Sequence, residues 1–323
     1  MERITCTEWG PPEGLVLETV DDPEPGPGQV AIAVEAAGVN FVDALFVAGT
    51  YQIKVPPPFT PGSEVAGTVA AVGDGVDGFA VGDRVLSSVG LGAYASRAVV
   101  AAASAARVPD ALSTPAAAAL IQSYCTAWFA LTRRIAVQPG ERVLVLGAGG
   151  GVGLAAIDVA RSLGGEVIAA ASSDDKLSDA TAMGATATIA YDDEDLKARA
   201  RELAGGRLDV VVDPVGGDRT EPALRALGPG GRLLVIGFAA GDIPFLPANQ
   251  VLLHNRTVAG VDWGAWAMGH VDEQTALLAE VLDAVADRRL HPVEPTVRPL
   301  ADAGAVLRDL LERRLKGKVV LAP

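Results

Sequence analysis

The stretch Arg142-Val-Leu-Val-Leu-Gly147-Ala148-Gly149-Gly150-Gly151-Val152-Gly153, running on through residues 154–163, constrains the fold more than any other part of the chain. A short apolar run enters a glycine-rich turn and leaves as an apolar helix. Because glycine carries no Cβ, the turn amides and the positive end of the helix can come close to a pyrophosphate. Glycine strings also occur in linkers and in plain packing turns, so the letters alone decide little. The downstream pattern decides more. Strand-like segments at 166–171, 186–190, 209–213, 232–238 and 257–261 alternate with helix-compatible segments at 152–163, 175–183, 193–203 and 219–227. With 142–146 that makes six strands and their crossover helices, the pattern of an α/β fold with a complete doubly wound parallel (Rossmann) sheet.

Upstream the texture differs. Segments 30–35, 64–72, 83–88 and 94–100 alternate or run apolar between dense turn residues such as Pro23, Pro25, Gly26, Pro56 to Pro58, Pro61, Gly73 and Gly82. Many short strands with such punctuation predict a β-rich barrel or sandwich. After Trp263 come an amphipathic helix at 273–288, a second at 302–315 and a strand at 318–321, too little to make a core alone. The expected layout is therefore 1–122 plus 264–323 as one domain, with 123–263 inserted as the dinucleotide-binding domain.

The end of the second sheet strand discriminates between nucleotides. A carboxylate there would grip both ribose hydroxyls and repel a 2′-phosphate. Here the strand ends Ala169-Ala170-Ala171 and continues Ser172-Ser173-Asp174-Asp175-Lys176. Ser172 offers a hydroxyl, Lys176 a mobile cation one helical turn on, and Tyr191, past the third strand, a phenol; the set suits a phosphate and predicts NADPH. Asp174 and Asp175 weaken that field, and a lysine at a helix start also reads as simply solvated.

With these pieces in place the chain resembles the zinc-independent quinone oxidoreductases, the zeta-crystallin-like family of the medium-chain dehydrogenase/reductase superfamily. The most specific segments are Gly38-Val-Asn40-Phe-Val-Asp43 with Gly49-Thr-Tyr51, Pro61-Gly-Ser63-Glu64-Val-Ala-Gly67 on to Gly73, and Gly82-Asp-Arg-Val. To these are added Asp213-Pro-Val-Gly-Gly217, Pro229 through Gly237-Phe238, and Gly317-Lys-Val-Val. The resemblance implies that the β-rich domain is GroES-like and that NADPH lies in the cleft. It further implies that Asn40 and Tyr51 lie beside the nicotinamide and that Thr126, Gly237 and Phe238 flank it. Gly260, Val261 and Asp262 would close the pocket; Gly149, Gly150, Gly151 and Val152 would hold the pyrophosphate, and Ser172, Lys176 and Tyr191 the adenosine phosphate. The residues alone leave other readings open: Asn40 as a helix cap, Tyr51 as a loop tyrosine over apolar surface, and Trp263, Trp266 and His270 as core or interface rather than pocket wall.

Zinc-dependent relatives share this layout, so the metal has to be judged from the residues. At the positions where those relatives carry ligands this chain has Asn40, Ser63 and Ser123, none an ordinary zinc ligand, and Glu64 reads as a buried, paired carboxylate. Two cysteines, Cys6 and Cys125, cannot build a four-cysteine zinc lobe or a disulfide framework. No metal is expected. Without a Lewis acid the favoured reaction is hydride addition to a conjugated acceptor, whose charge spreads over an enolate: a quinone or an α,β-unsaturated carbonyl, with Tyr51 and Asn40 as the catalytic pair.

The same hydride chemistry would serve an enoyl or acryloyl thioester, and a non-catalytic dinucleotide-binding protein is the rival of another class. A net charge of −14 argues against nucleic acid as a partner. Residues 115–131 are apolar but too short and too interrupted by Gln122, Ser123, Tyr124 and Thr126 for a membrane span, and read as two Ala-rich helical turns. The expectation is a cytoplasmic enzyme acting on a small molecule, as a homodimer paired through the 257–261 edge strand.

Overall fold

A computed structural model describes residues 1–323 and divides into two compact units, the first comprising 1–122, 278–286 and 292–323, the second 123–277 and 287–291.

The first unit opens with the hairpin β1 (Glu2–Thr5) and β2 (Val16–Thr19). The long strand β3 (Gln29–Gly38) then leads into α1 (Phe41–Val47), followed by β4 (Glu64–Val72), β5 (Arg84–Ser88), β6 (Arg97–Ala101) and β7 (Ala105–Arg107). β3 is central: it pairs antiparallel with both β4 and β6, and its register slips twice against β4, which bends it as bulges do. Two late strands complete the same sheet, β15 (Val319–Ala322) pairing antiparallel with the end of β3 and β14 (Thr296–Pro299) pairing parallel with β15. The core of this unit gathers Ile4, Val30, Ile32, Val65, Val85 and Tyr94 with Leu300, Val306, Leu307 and Leu321. Those last four side chains explain why the chain's end belongs here: α11 (Ala303–Leu311) and β15 bury their apolar faces in the core begun by β3 and β4.

The connecting stretch expected as two helical turns is a short helix, a turn at residues 119–120 and a helical run from Ile121 to Arg134. It comprises α2 (Thr114–Ala118), a π segment (Ile121–Cys125), α3 (Thr126–Trp128) and a second π segment (Phe129–Arg134). Ser113 starts it by accepting the Ala116 amide at 3.1 Å. No helix of the chain is long and apolar enough to cross a membrane.

The second unit holds β8 (Arg142–Leu146), α4 (Gly151–Ser162), β9 (Glu166–Ala171), α5 (Asp174–Ala182), β10 (Ala187–Ala190), α6 (Leu196–Leu203), β11 (Leu208–Asp213), α7 (Thr220–Ala226), β12 (Leu227–Val235), α8 (Ala248–Leu252) and β13 (Thr257–Gly260). The six strands are all parallel, in the order β10-β9-β8-β11-β12-β13. Numbered within the unit this is 3-2-1-4-5-6, the doubly wound order, with its switch point between β8 and β11. Leu144, Leu146, Ile168, Ile189, Val211 and Leu233 form the sheet's contribution to a core closed by Leu196, Ala200 and Leu224. The fold class expected from the sequence, a doubly wound Rossmann sheet together with a GroES-like β-rich unit, is the one found.

Residues 264–277 group with the second unit. Asp262 caps α9 (Trp263–Gly269) by accepting the Ala265 amide, buried Trp263 donates to Gln274 at 2.7 Å, and Trp266 stacks on Phe129 with ring centroids 4.6 Å apart. The helix α10 (Val271–Ala286) comes next, and the short segment 287–291 is held to the second unit by buried Asp158, which accepts from the His291 amide, the Tyr124 hydroxyl and the Arg161 guanidinium.

Candidate active site

In the second unit, the parallel register sets Leu146 beside Ala170, Ala171 beside Ala190, and Asp213 beside Val235, which itself faces Gly260. The segments that leave the strands therefore share one edge of the sheet. Gly147 to Val152, Ser172, Tyr191, the Pro214–Gly217 turn, Gly237-Phe238 and Val261-Asp262 all fall on it, and carboxyl ends of parallel strands at a switch point are where such sheets bind ligands.

The glycine turn enters α4 with Gly150 in extended conformation as the residue before the helix. The first amides of that helix have no partner within it and point toward whatever lies off its end. A Cβ at Gly149 would sit 2.5 Å from Cβ and Cγ of Lys176. The lysine stem thus lies directly against the phosphate turn, and its Nζ reaches Ser172 Oγ at 3.4 Å. The glycine turn, Ser172 and Lys176 are brought together.

Tyr191 lies just past β10, its amide donating to Ala171 O at 3.2 Å. Arg219 was not anticipated from the sequence: its guanidinium lies 4.8 Å from the Tyr191 ring centroid, donates to Tyr191 O at 2.7 Å and pairs with Asp192 at 2.7 Å. Asp213, quoted from the sequence only as part of the resemblance, was given no role there. Buried at the end of β11, it accepts the Val215 and Gly216 amides through Oδ1 and the Thr220 hydroxyl through Oδ2. It thereby folds the turn that stands across the switch point from Gly147, and the signal was available as an acid ending an apolar strand ahead of Pro-Val-Gly-Gly. Gly237 and Phe238 lie just past β12, Phe238 packed on Gly216. Thr126 is buried at the start of α3. Gly260 O accepts from Arg134 at 2.8 Å, Val261 is buried, and Asp262 acts as a helix cap.

In the first unit Asn40 and Tyr51 stand at opposite ends of α1. The Tyr51 ring packs on Phe46 at 4.7 Å between centroids. Asn40 precedes the helix and shares a capping box with Asp43, which accepts the Asn40 amide at 2.8 Å, while the Asn40 carboxamide also reaches Glu64 and Lys318. The Asn-x-x-Asp spacing of a capping box is legible in the sequence. The lysine contact, 278 residues away in sequence, is not.

Glu64 is buried and paired, as its sequence reading has it, accepting from Asn40 Nδ2 at 2.8 Å, Lys318 Nζ at 3.0 Å and the Gln122 amide at 2.9 Å. Asp43 is fully buried; Tyr94 donates to its Oδ2 at 3.0 Å, while Oδ1 has no partner. Burial pushes its carboxyl up to about 7, against the opposing pull of the Asn40 amide and the Tyr94 hydroxyl. The phenol of Tyr94 is itself pushed up by burial and by the neighbouring carboxylate.

The protein-family model described as "Alcohol dehydrogenase GroES-like domain" matches residues 26–110, and that described as "Zinc-binding dehydrogenase" matches 151–282. Quinone oxidoreductase-like protein 2 of Bos taurus is 38% identical over 319 residues, covering 98% of this chain and 91% of its own. The quinone oxidoreductase of Pseudomonas aeruginosa is 35% identical over 331 residues, covering 100% and 99%. The chain belongs to the quinone oxidoreductase family of the medium-chain dehydrogenase/reductase superfamily. A solved member, Escherichia coli quinone oxidoreductase complexed with NADPH, shares the fold at a TM-score of 0.89 and 30% identity, with 100% of both chains covered.

The zinc implied by the second description does not fit the donors present. Asn40, Ser63 and Ser123 are not zinc ligands, and nowhere do three His, Cys, Asp or Glu side chains gather as a metal site requires. Beside Glu64 stands an ammonium.

The Asp43 carboxyl generates a pH dependence. Its usual value is 3.8, so between about pH 4 and 7 the folded chain holds a proton that the unfolded chain has released. Its contribution to stability is complete below pH 4 and is lost as pH rises through 7, a change of roughly a few kcal/mol. The carboxylates held low by their partners, such as Glu141 beside Arg232, act in a lower window. Urea unfolding from pH 5 to 8 is expected to show falling stability, and Asp43→Asn to flatten that slope; equal slopes in both proteins would rule out Asp43 as the group.

Proposed function

We propose that this chain is an NADPH-dependent reductase that delivers hydride to a quinone or to the β-carbon of an α,β-unsaturated carbonyl without a metal. The observation that carries this reading is the end of β9: no carboxylate stands there to claim the ribose hydroxyls, and Lys176 lies over the phosphate turn with its ammonium at Ser172. The NADPH carried by the solved relative agrees with it.

In this reading Gly149, Gly150, Gly151 and Val152 receive the pyrophosphate through backbone amides. Ser172, Lys176 and Tyr191 receive the 2′-phosphate, and Arg219 holds the Tyr191 ring and carbonyl in place. Thr126, Gly237, Phe238, Gly260, Val261 and Asp262 flank the nicotinamide half. When bound, the nucleotide supplies a hydride equivalent. Tyr51 donates a hydrogen bond to the oxygen on which charge develops, and Asn40 orients the reacting groups. A conjugated acceptor spreads that charge over several atoms, so neutral hydroxyl and amide donors suffice where alcohol oxidation would call for a Lewis acid or a strong base.

The sheet also ends on β13, which pairs only with β12, and Leu252 and Leu253, shortly before it in the chain, are exposed. We propose that a second copy pairs along this edge. Light scattering should give about twice the single-chain mass of 32.9 kDa, and a single-chain mass would reject the dimer.

The reaction is tested by following NADPH and NADH oxidation with quinones, enals and enoyl thioesters. Turnover with quinones or enals supports the reading; preference for thioesters reassigns the substrate, and tight NADPH binding with no acceptor reduced points to a non-catalytic role. Lys176→Ala is expected to weaken NADPH by about tenfold or more while sparing NADH, since a charge-assisted contact is lost only with the phosphate; equal losses would contradict the phosphate assignment. Tyr51→Phe is expected to lower kcat on the order of 10- to 100-fold at nearly unchanged NADPH affinity, and full activity would remove its role.

A further inference from the structure

The ammonium of Lys318 is buried, and each of its three protons has an acceptor: Val39 O at 3.1 Å, Glu64 Oε1 at 3.0 Å and Asn40 Oδ1. Glu64, also buried, accepts from Lys318 and from Asn40 Nδ2 through one oxygen and from the Gln122 amide through the other. The carboxylate has room only because residue 38 is glycine; a Cβ there would stand 2.4 Å from Glu64 Oε1 and 2.3 Å from Ala118 O. The set is saturated and gathers the end of β3, the start of β4, the residue before β15 and the π segment Ile121–Cys125.

This arrangement fixes the Asn40 side chain in two respects. A carboxamide could ordinarily sit either way round, with oxygen and nitrogen exchanged. Here an ammonium, which can only donate, faces one atom, and a carboxylate, which can only accept, faces the other, so oxygen must face Lys318 and nitrogen must face Glu64. One Nδ2 proton is then engaged by Glu64 and the second remains. The cation at the oxygen draws electron density toward it and makes that second proton a better donor.

We propose that Lys318 and Glu64 are positioning residues that lock the Asn40 carboxamide so that its remaining Nδ2 proton is presented, as a donor, to an oxygen of the bound nicotinamide or of the carbonyl acceptor. The proposal rests on the reductase reading of this chain. A buried ion pair is a poor source of stability, since matched apolar side chains serve as well or better, and what this one does produce is a single orientation of one polar side chain. Lys318 and Glu64 touch neither nucleotide nor acceptor; they act through Asn40.

The test is a double-mutant cycle on the full chain, read in kcat/KM for quinone reduction and in NADPH affinity. Lys318→Met is expected to cost roughly 10- to 100-fold in at least one of these readouts when Asn40 is present, and less than about threefold in an Asn40→Ala background, because the interaction it supports is already gone. Lys318→Arg should restore part of the loss. Lys318→Met leaves Glu64 buried without its counter-charge, so the pair Glu64→Gln/Lys318→Met, which removes both charges, is run through the same cycle if the single variant fails to fold. Coupling seen in affinity places the Asn40 proton on the nicotinamide, and coupling in kcat/KM alone places it on the acceptor; either supports the lock. Equal losses in both Asn40 backgrounds, or no loss in either, would overturn it and leave Lys318 as a structural tie. If the unaltered protein binds NADPH but reduces no acceptor, the reductase reading fails while the lock is still decided by the affinity cycle.

Discussion

A buried ammonium with three acceptors holds the first unit together at the point where its chemistry is expected. Lys318 leads into the last strand of the chain, Val39 and Asn40 come directly after the central strand β3, and Glu64 begins β4. Desolvating a lysine and a glutamate costs several kcal/mol per ion, and only complete hydrogen bonding makes such a pair tolerable. Completeness is what the geometry shows, down to the glycine that vacates space for the carboxylate. The same contact draws β15 onto the end of β3, so chain closure and the orientation of Asn40 share one cause.

The second unit solves a different problem with the same sparing use of charge. Its parallel strands deliver six loop segments to one edge, and the turns there must present backbone amides rather than bury them. Asp213 uses both carboxylate oxygens to fold one turn, and Lys176 lays its stem on the other while leaving its cation at the edge. Acids serve as internal struts and the lysine ammonium sits at the edge, an arrangement suited to an anionic nucleotide. The net charge of −14 is a property of the whole surface and does not describe this edge.

What the sequence made legible was whatever depends on local pattern. The strand 142–146, the strand 166–171 and the strand 64–72 lie where alternation and glycine punctuation put them, because period and turn chemistry act over a few residues. The phosphate turn and the absent acid at Ala171 were equally visible. Residues 264–277 group with the second unit, where Trp263 meets Gln274 and Trp266 meets Phe129 in space, contacts that no local pattern reports. Between Thr114 and Arg134 the break falls at the turn 119–120, where α2 ends, and not at Gln122, Ser123 and Tyr124, which a π segment carries through. Asn40 shows the limit most plainly: its spacing to Asp43 signals a cap, and the partners that decide its chemistry lie 24 and 278 residues away. Arg219 escaped notice for the same reason, being 28 residues from the tyrosine it holds.

In the proposed reading, hydride transfer relies on amides, hydroxyls and Lys176 at the phosphate, and has no use for a metal. The most direct test measures metal content and NADPH-dependent quinone turnover on one sample before and after chelation. Turnover that is unchanged in protein holding almost no zinc is the predicted result; turnover that disappears on stripping and returns with added zinc would contradict the account.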